Sequence, residues 1–239
     1  MPLPKIATPT YELEIPSNKK KIKYRPFLVK EEKILIIAME SEDSKQIAEA
    51  VKTVISNCIL TKGIRIEELA TFDIEYLFLN IRGKSVGEDV EVLITCPDDG
   101  TTQVPTSISL DEIKIQVNEN HTRDIKVDSS LTLRMKYPSM TEFIKSNFST
   151  GADMSVDDTF DLISSCVEQV FNDEESWAAV DCTKKELAEF LEQLSSKQFK
   201  QIEKFFETMP KLSHTIKVKN PNTGVESEVV LEGLSAFFG

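Results

Sequence analysis

The stretch YELEIPSNKKKIKYRP, residues 11–26, decides how the fold begins, because it cannot form a helix. Two alternating runs, 11–15 and 21–25, flank the polar pair Ser17 and Asn18, and five of the chain's ten prolines lie within or before the stretch. Proline removes a backbone donor and biases its predecessor toward extended geometry. We predict an extended docking arm with an edge hairpin that turns at Ser17 and Asn18. The alternative for 21–25 is an ordinary strand packed on the protein's own sheet.

Length and composition indicate a globular protein. With 239 residues, 40% hydrophobic and 28% charged, the chain can form one large domain or two small ones. The longest strongly apolar stretch, Ile34–Met39, is too short to cross a bilayer, and no secretory signal is visible. Four widely spaced cysteines are typical of free thiols in a reducing compartment. We expect a cytoplasmic protein.

The charge is strongly negative and unevenly spread. A net charge of −12 argues against a general nucleic-acid binder or a binder of anionic membranes. Residues 1–33 carry eight basic and four acidic residues, whereas residues 151–195 carry twelve acidic residues and two lysines. Such an asymmetry can steer partners or neighbouring copies of the chain, or can simply mark two solvated surfaces.

The pattern along the chain predicts an α+β fold. Residues 31–40 fit a strand or a buried helix turn. Ser44 is a candidate N-cap for a helix, and a second helix is predicted from Thr71 or Asp73 to just before Gly87. A period of two then predicts strands of a central antiparallel sheet, at residues 90–94, 113–117, 124–127 and 131–135.

The C-terminal half is predicted to be mainly helical. After a short helix at 139–148, helical spacing joins Val156 to Val167, Val170 and Phe171. Thr183 begins a capping box, and two further helices form an αα-hairpin before the closing β-hairpin. We divide the chain into three parts: an extended arm (1–33), a mixed α/β region with the central sheet (34–137), and a helical region that ends in a β-hairpin (138–239).

Two turns share the spacing x-Pro-x-x-Gly, at residues 96–100 and 220–224. The same spacing occurs in the knuckles of zinc ribbons, where two thiolates per turn bind the metal. Here only Cys96 is a thiol, and Asp99, Asn220 and Thr223 occupy the other three places. We interpret both turns as plain hairpins without metal; their descent from zinc knuckles is left open.

No pattern of residues indicates catalysis. The two histidines lack a neighbouring nucleophile motif, and the eight glycines form no phosphate-binding loop. Asp153, Asp157, Asp158 and Asp161 crowd one stretch but lack the glycine and final glutamate of a calcium loop. An acidic first helical turn explains them better. We expect no enzyme, no cofactor and no metal.

Six segments, densest in residues 4–90, carry a resemblance to a known family; they are Pro4–Ile6 with Tyr11–Leu13, Tyr24–Lys33, Ala38–Ser41, Phe72–Phe78, Ile81–Glu88 and Gly233–Phe238. With them the sequence resembles the baseplate hub subunit family of T-even-like tailed bacteriophages. The resemblance implies a non-enzymatic component of the baseplate hub, made in the host bacterial cytoplasm and carried in the virion tail. The implied partners are other phage tail and baseplate hub proteins, with self-association as a second option.

We place the candidate interface on three short segments and on the apolar pair near the end of the chain; its residues are Tyr24, Arg25, Pro26, Phe27, Arg82, Lys84, Glu88, Phe237 and Phe238. Arg25 and Arg82 have an internal alternative, which is to form ion pairs with Glu31, Glu75 or Glu88. Phe237 and Phe238 must fold back or insert into a partner.

Three other functions stay open. The chain can be a transient hub-assembly factor or chaperone that is absent from the mature virion. It can be an adaptor of a different multiprotein machine. From another class, it can be a metal-dependent hydrolase that uses the aspartate-rich stretch.

Overall fold

The computed structural model describes residues 6–41, 43–140, 142 and 156–233, which form helices and several antiparallel sheets. The predicted α+β class is therefore confirmed. The chain folds as two compact units: unit 1 extends to Gln116 and resumes at Lys211, and unit 2 is Val117–Pro210. The three-part division at 33/34 and 137/138 stays a prediction.

The elements of the described residues are named in chain order. The helices are α1 (Val29–Glu40), α2 (Ser44–Cys58), α3 (Thr71–Val86), α4 (Val156–Ser165), α5 (Lys184–Glu192) and α6 (Ser196–Thr208). The strands are β1 (Tyr11–Glu14), β2 (Lys21–Tyr24), β3 (Asp89–Thr95), β4 (Gln103–Ser109), β5 (Lys114–Gln116), β6 (Asp124–Lys126), β7 (Thr132–Met135), β8 (Val167–Phe171), β9 (Ser176–Ala178), β10 (Lys211–Lys219) and β11 (Glu226–Glu232). No helix in these ranges is long and apolar enough to cross a membrane.

Unit 1 begins with the predicted hairpin. Strands β1 and β2 pair antiparallel, and Tyr11 lies opposite Tyr24. In the turn, Asn18 Oδ1 accepts a hydrogen bond from the Lys20 amide at 3.0 Å. The amide of Leu60 donates to the Lys23 carbonyl at 2.8 Å, so the hairpin is tied to the segment that follows α2. Ile15 and Ile22 are almost fully buried, which makes the hairpin part of the unit 1 interior.

Three helices follow the hairpin. Residues 31–40, which fitted a strand or a helix turn, belong to α1. The N-cap of α2 is Asp43 rather than the predicted Ser44, because Asp43 Oδ1 accepts from the amides of Lys45 and Gln46 at 2.8 and 3.3 Å. Helix α3 ends at Gly87, as predicted, where φ is 120° and a side chain would be strained.

The strands of unit 1 form two sheets besides the hairpin. Strand β3 pairs with β4, and β10 lies between β11 and β5. Strand β4 escaped prediction because Pro105, opposite Leu93, interrupts its pattern. Alternate side chains of both sheets point into one core; the buried members are Leu79, Val90, Val92, Ile94, Ile108, Leu110, Ile113, Leu212, Ile216, Val218 and Leu231.

Unit 2 contains a four-stranded sheet in the order β6-β7-β8-β9. The four strands predicted for one central sheet thus lie in three sheets. Val167, Val170 and Phe171, predicted to continue the Val156 helix, form strand β8 instead. The reason is tertiary: Val170 pairs with Leu133 in β7, and β-branched residues suit a pleated surface. The short helix predicted at 139–148 lies mostly outside the described residues.

The two helices predicted to form an αα-hairpin in unit 2 are present as α5 and α6, but α5 packs mainly on α4. Thr183 Oγ1 accepts from the Glu186 amide at 3.2 Å, and the Glu186 carboxylate accepts from the Thr183 amide at 2.7 Å. Ser195 and Gln198 form the same capping box at the start of α6. Both helices bury one apolar side against the sheet, with Leu191, Ile202 and Phe205 in the core of unit 2.

Candidate interaction surface

The predicted interface segment 24–27 leads from the hairpin into α1. Tyr24 and Pro26 are buried in unit 1, whereas Arg25 and Phe27 are partly accessible. The amide of Arg25 donates to the Cys58 carbonyl at 3.0 Å. These contacts hold the segment within its own unit and leave Arg25 and Phe27 as its partly accessible residues.

Arg25 has the internal ion pair that we considered as its alternative role. Its Nη2 donates to Glu31 Oε1 at 2.9 Å, and the Glu31 side chain is fully buried. Burial by itself would raise the pKa of Glu31, but hydrogen bonds from Arg25, the Leu28 amide and Lys30 outweigh it and lower that pKa. A buried carboxylate paired on both oxygens fixes the angle at which α1 leaves the hairpin.

The turn of the hairpin is held at a second buried acid. The amide of Ser17 donates to Asp73 Oδ1 at 2.9 Å, and Asp73 is fully buried near the start of α3. Among the residues that the structure describes, Asp73 Oδ2 has no hydrogen-bond partner. Burial raises the pKa of Asp73 above its ordinary value, and the hydrogen bonds from Ser17 oppose that rise.

The last turn of α3 lies against the hairpin and brings the two predicted segments together. The Phe27 amide donates to Ser85 Oγ at 2.9 Å, across 58 positions of sequence. Lys84 forms an ion pair with Glu88, and its Nζ lies 5.9 Å from the centre of the Tyr11 ring. We call Tyr11, Phe27, Lys84, Val86 and Glu88 the hairpin–α3 surface; Val86 is 56% exposed.

Arg82, also predicted at the interface, is only partly accessible. Its Nη1 is buried and, within the described part of the chain, lacks a hydrogen-bond partner. Burial lowers the pKa of its guanidinium. The alternative pair with Glu88 does not form, since Glu88 binds Lys84. Phe237 and Phe238 lie outside the described residues, and their role stays a prediction.

Helix α1 carries the surface that sequence reasoning missed. Its buried side consists of Glu31, Leu35 and Ala38. Its other side exposes aliphatic side chains between charged ones: Val29, Ile36, Ile37 and Met39 have 78%, 50%, 55% and 40% of their surface exposed. The signal was present in the sequence, because the apolar run Ile34–Met39 extends over more than one helical turn and so cannot be buried on one side of a helix alone. This signal did not predict a surface, because from the sequence alone residues 31–40 could equally form a strand.

The two x-Pro-x-x-Gly turns face each other in unit 1. Asn220, almost fully buried, donates through Nδ2 to both carboxylate oxygens of Asp98 at 3.1 Å and to Asp99 Oδ2 at 2.9 Å. Thr223 Oγ1 donates to Asp98 Oδ2 at 2.5 Å. The hydrogen bonds from Thr223 and then Asn220 lower the pKa of Asp98. The side-chain amide of Asn220 therefore lies between the carboxylates of Asp98 and Asp99, where a bound cation would otherwise balance their negative charges.

His121, Cys58 and Cys166 lie in packed surroundings. His121 bridges Thr208 Oγ1 and the Tyr137 hydroxyl, each at 3.0 Å, and burial lowers its pKa. Burial raises the pKa of Cys58 to about 11 and that of Cys166 to about 12, which disfavours reactive thiolates. Asp157 and Asp158 occupy the first turn of α4. Within the described ranges, no three His, Cys, Asp or Glu side chains are grouped to hold a metal ion.

Comparison with known proteins supplies the biological setting. A family described as T4 bacteriophage base plate protein matches residues 8–239, nearly the whole chain. No curated protein and no solved structure matches the chain. The match confirms the relationship inferred from segments such as Tyr24–Lys33 and Ile81–Glu88. With a model that covers both units, the chain belongs to the family of T4 bacteriophage base plate proteins.

Proposed function

We propose that this baseplate protein is a component of the baseplate hub that acts by binding other tail proteins through its hairpin–α3 surface. Family membership supports a structural role in the baseplate. The observation that carries the hub-contact proposal is the hydrogen bond between the Phe27 amide and Ser85 Oγ, since it joins two distant segments into one surface.

The composition of this surface suits a protein partner. Tyr11 and Phe27 supply aromatic area, Val86 supplies an exposed apolar contact, and Lys84 with Glu88 supplies opposite charges at the rim. Aromatic anchors with a polar rim are typical of protein interfaces. The buried Arg25–Glu31 pair and the Ser17–Asp73 contact hold the hairpin beside this surface, which favours binding because less conformational entropy is lost.

The test is co-purification of baseplate proteins with the full-length chain from infected cells. The double variant Lys84→Glu/Val86→Asp is expected to lose the partners that the wild type retains, because it reverses a rim charge and charges an apolar contact. The matched control in unit 2 is Lys185→Glu/Val180→Asp, since Lys185 and Val180 are exposed as well. Full retention of partners by the first variant would refute this surface.

A second measurement addresses the place of the protein in the particle. We expect mass spectrometry of purified virions to detect the chain in the tail, as a hub component requires. Its absence from particles, with partners still captured from infected cells, would instead identify the transient assembly factor.

A further inference from the structure

From the outer face of α1 we infer that two copies of this chain associate by packing their α1 helices antiparallel about a two-fold axis. The inference goes beyond hub binding, because it uses a different surface and stands even if the hairpin–α3 surface has no partner.

The first observation is the exposure of large aliphatic side chains on the outer face of α1. Val29, Lys33, Ile36 and Glu40 follow one another at spacings of four, three and four residues, so they form a single stripe along the helix. Ile37 flanks this stripe and is 55% exposed. Several large exposed aliphatic side chains on one short helix are unusual for a surface that stays in water, and they mark an association site.

The second observation is the order of charges on the stripe. Lys33 and Glu40 are both exposed, and neither takes part in an ion pair among the described residues. Ile36 and Ile37 lie midway between them in the sequence. From Lys33 to Glu40 the stripe therefore carries a positive charge, an apolar centre and a negative charge, and Val29 precedes Lys33.

This order is complementary to itself. A two-fold axis through the Ile36–Ile37 midpoint runs the second helix in the opposite direction. It places Lys33 of one copy opposite Glu40 of the other, and the reverse pair forms at the far end. The apolar centres then meet each other, and both charged ends are satisfied at once. A parallel arrangement would instead set Lys33 against Lys33 and Glu40 against Glu40, which is unfavourable.

A second copy of the chain already carries the charges that are complementary to this stripe. An unrelated apolar helix could cover Ile36 and Ile37, but it would need its own acid and base at the matching positions. The copy has them by symmetry, and C2 dimers with isologous contacts are the commonest soluble oligomers. The buried Glu31 on the opposite side fixes the rotation of α1, so the stripe always faces outward.

The experiment measures the mass of the full-length protein by sedimentation and light scattering up to about 100 μM. The wild type is expected to reach the dimer mass. Ile36→Glu/Ile37→Glu is expected to weaken association at least about a hundredfold, while Val180→Glu, which alters an exposed residue of unit 2, leaves it unchanged. A monomeric wild type, or a dimer that persists in the double variant, would overturn the inference.

Charge reversal tests the antiparallel geometry without touching the apolar centre. Lys33→Glu alone and Glu40→Lys alone are each expected to weaken association by roughly tenfold, since each places like charges at both ends. Mixing the two single variants is expected to restore a heterodimer, because the carboxylate introduced at position 33 of one chain then meets the ammonium introduced at position 40 of the other. The chain that carries both substitutions is expected to dimerise like the wild type. Failure of the mixture to associate better than its components would refute the antiparallel arrangement.

Discussion

A buried carboxylate binds each end of the N-terminal hairpin, Glu31 at the junction with α1 and Asp73 at the turn. The two carboxylates differ in how hydrogen bonds compensate their buried charge. Where the hairpin joins α1, both carboxylate oxygens of Glu31 accept from Arg25, and Oε2 also accepts from the Leu28 amide. At the turn, Asp73 accepts from the Ser17 amide through Oδ1, while Oδ2 has no partner within the described residues. Both side chains are fully buried. Their pKa values nevertheless move in opposite directions, down for Glu31 and up for Asp73.

The difference shows that burial alone does not decide whether an acid stabilises a fold. Hydrogen bonds to both oxygens and a neighbouring guanidinium keep Glu31 ionised despite its burial. The hydrogen bonds from Ser17 do not outweigh burial at Asp73, so its charge is costly where that of Glu31 is compensated. The contacts of Glu31 therefore stabilise the hairpin more than the contact of Asp73 does, and they lie on the segment that leads into the candidate interaction surface.

Breaking the Glu31 end should have the largest effect. Glu31→Gln removes the negative charge and leaves Arg25 with an uncompensated charge in a mostly buried position. We expect the free energy of unfolding, measured in urea, to fall by about 3 kcal/mol. Glu32→Gln changes the neighbouring exposed residue and should leave the urea midpoint unchanged. Equal effects of the two substitutions would contradict the role of the pair.

The two x-Pro-x-x-Gly turns are joined by a neutral donor, the Asn220 amide, whereas Arg25 is a charged donor to Glu31. Asn220→Ala removes one amide that serves three carboxylate oxygens and leaves a gap in a nearly buried site. We expect a loss of about 2 kcal/mol in the same urea measurement, less than for Glu31→Gln because no charge becomes buried alone. The control is Asn222→Ala, whose side chain is exposed and donates only to Thr102 among the described residues. A loss no larger than that of the control would count against the network.

Removing the charge of Asp73 should raise the stability of the fold, whereas removing that of Glu31 lowers it. Asp73→Asn keeps an oxygen for the Ser17 amide and removes the buried charge, so we expect stability at pH 7 to rise by on the order of 1 kcal/mol. Asp89→Asn, at the exposed start of β3, is the control. Destabilisation by Asp73→Asn as large as that of Glu31→Gln would show that both ends work alike.

Acidification should separate the two ends further. Because the folded pKa of Glu31 is lowered, its contribution is present above its ordinary pKa of 4.5 and is lost as pH falls below that value. Because the folded pKa of Asp73 is raised, its cost is relieved as pH falls through that raised value toward 3.8. We expect urea unfolding between pH 7 and pH 4 to show the Asp73→Asn advantage shrinking while the Glu31→Gln deficit persists. A constant Asp73→Asn advantage would contradict the raised pKa.

The smallest effect is expected at the exposed pair. Lys84 and Glu88 retain 34% and 46% of their side-chain surface, and water screens such pairs. Lys84→Gln should leave the thermal midpoint unchanged within error, even at low salt. A fall comparable to that of Glu31→Gln would mean that the hairpin–α3 surface is part of the stabilising framework and not mainly a contact surface.

Local sequence signals predicted much of the fold. The capping box at Thr183 and Glu186 and the end of α3 before Gly87 need only a few neighbouring residues, and both are found where the pattern placed them. Strand β8 was missed, since Val167 and Val170 fit a helical spacing and become a strand only by pairing with β7. Residues 31–40 were ambiguous for the same reason, because a short apolar run has no period that separates helix from strand.

Sequence reasoning could predict only part of the candidate surface. Resemblance to a family pointed at 24–27 and 82–88, but nothing local shows that Tyr24 and Pro26 are buried while Lys84 and Val86 are exposed. The outer face of α1 needed the burial of Glu31 and Leu35 to be known first. Exposure is a property of the packed chain, and a residue's own chemistry does not set it.

By itself, the sequence determined the α+β class, the hairpin between Tyr11 and Tyr24, the capping box at Thr183 and the membership in a baseplate family. Each of these depends on contacts between residues that are close in the chain, or on ordered similarity along it. Tertiary structure alone decided that Arg25 pairs with Glu31, that Asn220 serves Asp98 and Asp99, and that the Phe27 amide meets Ser85. Those contacts join positions on different elements, and only the folded backbone brings them within hydrogen-bonding distance.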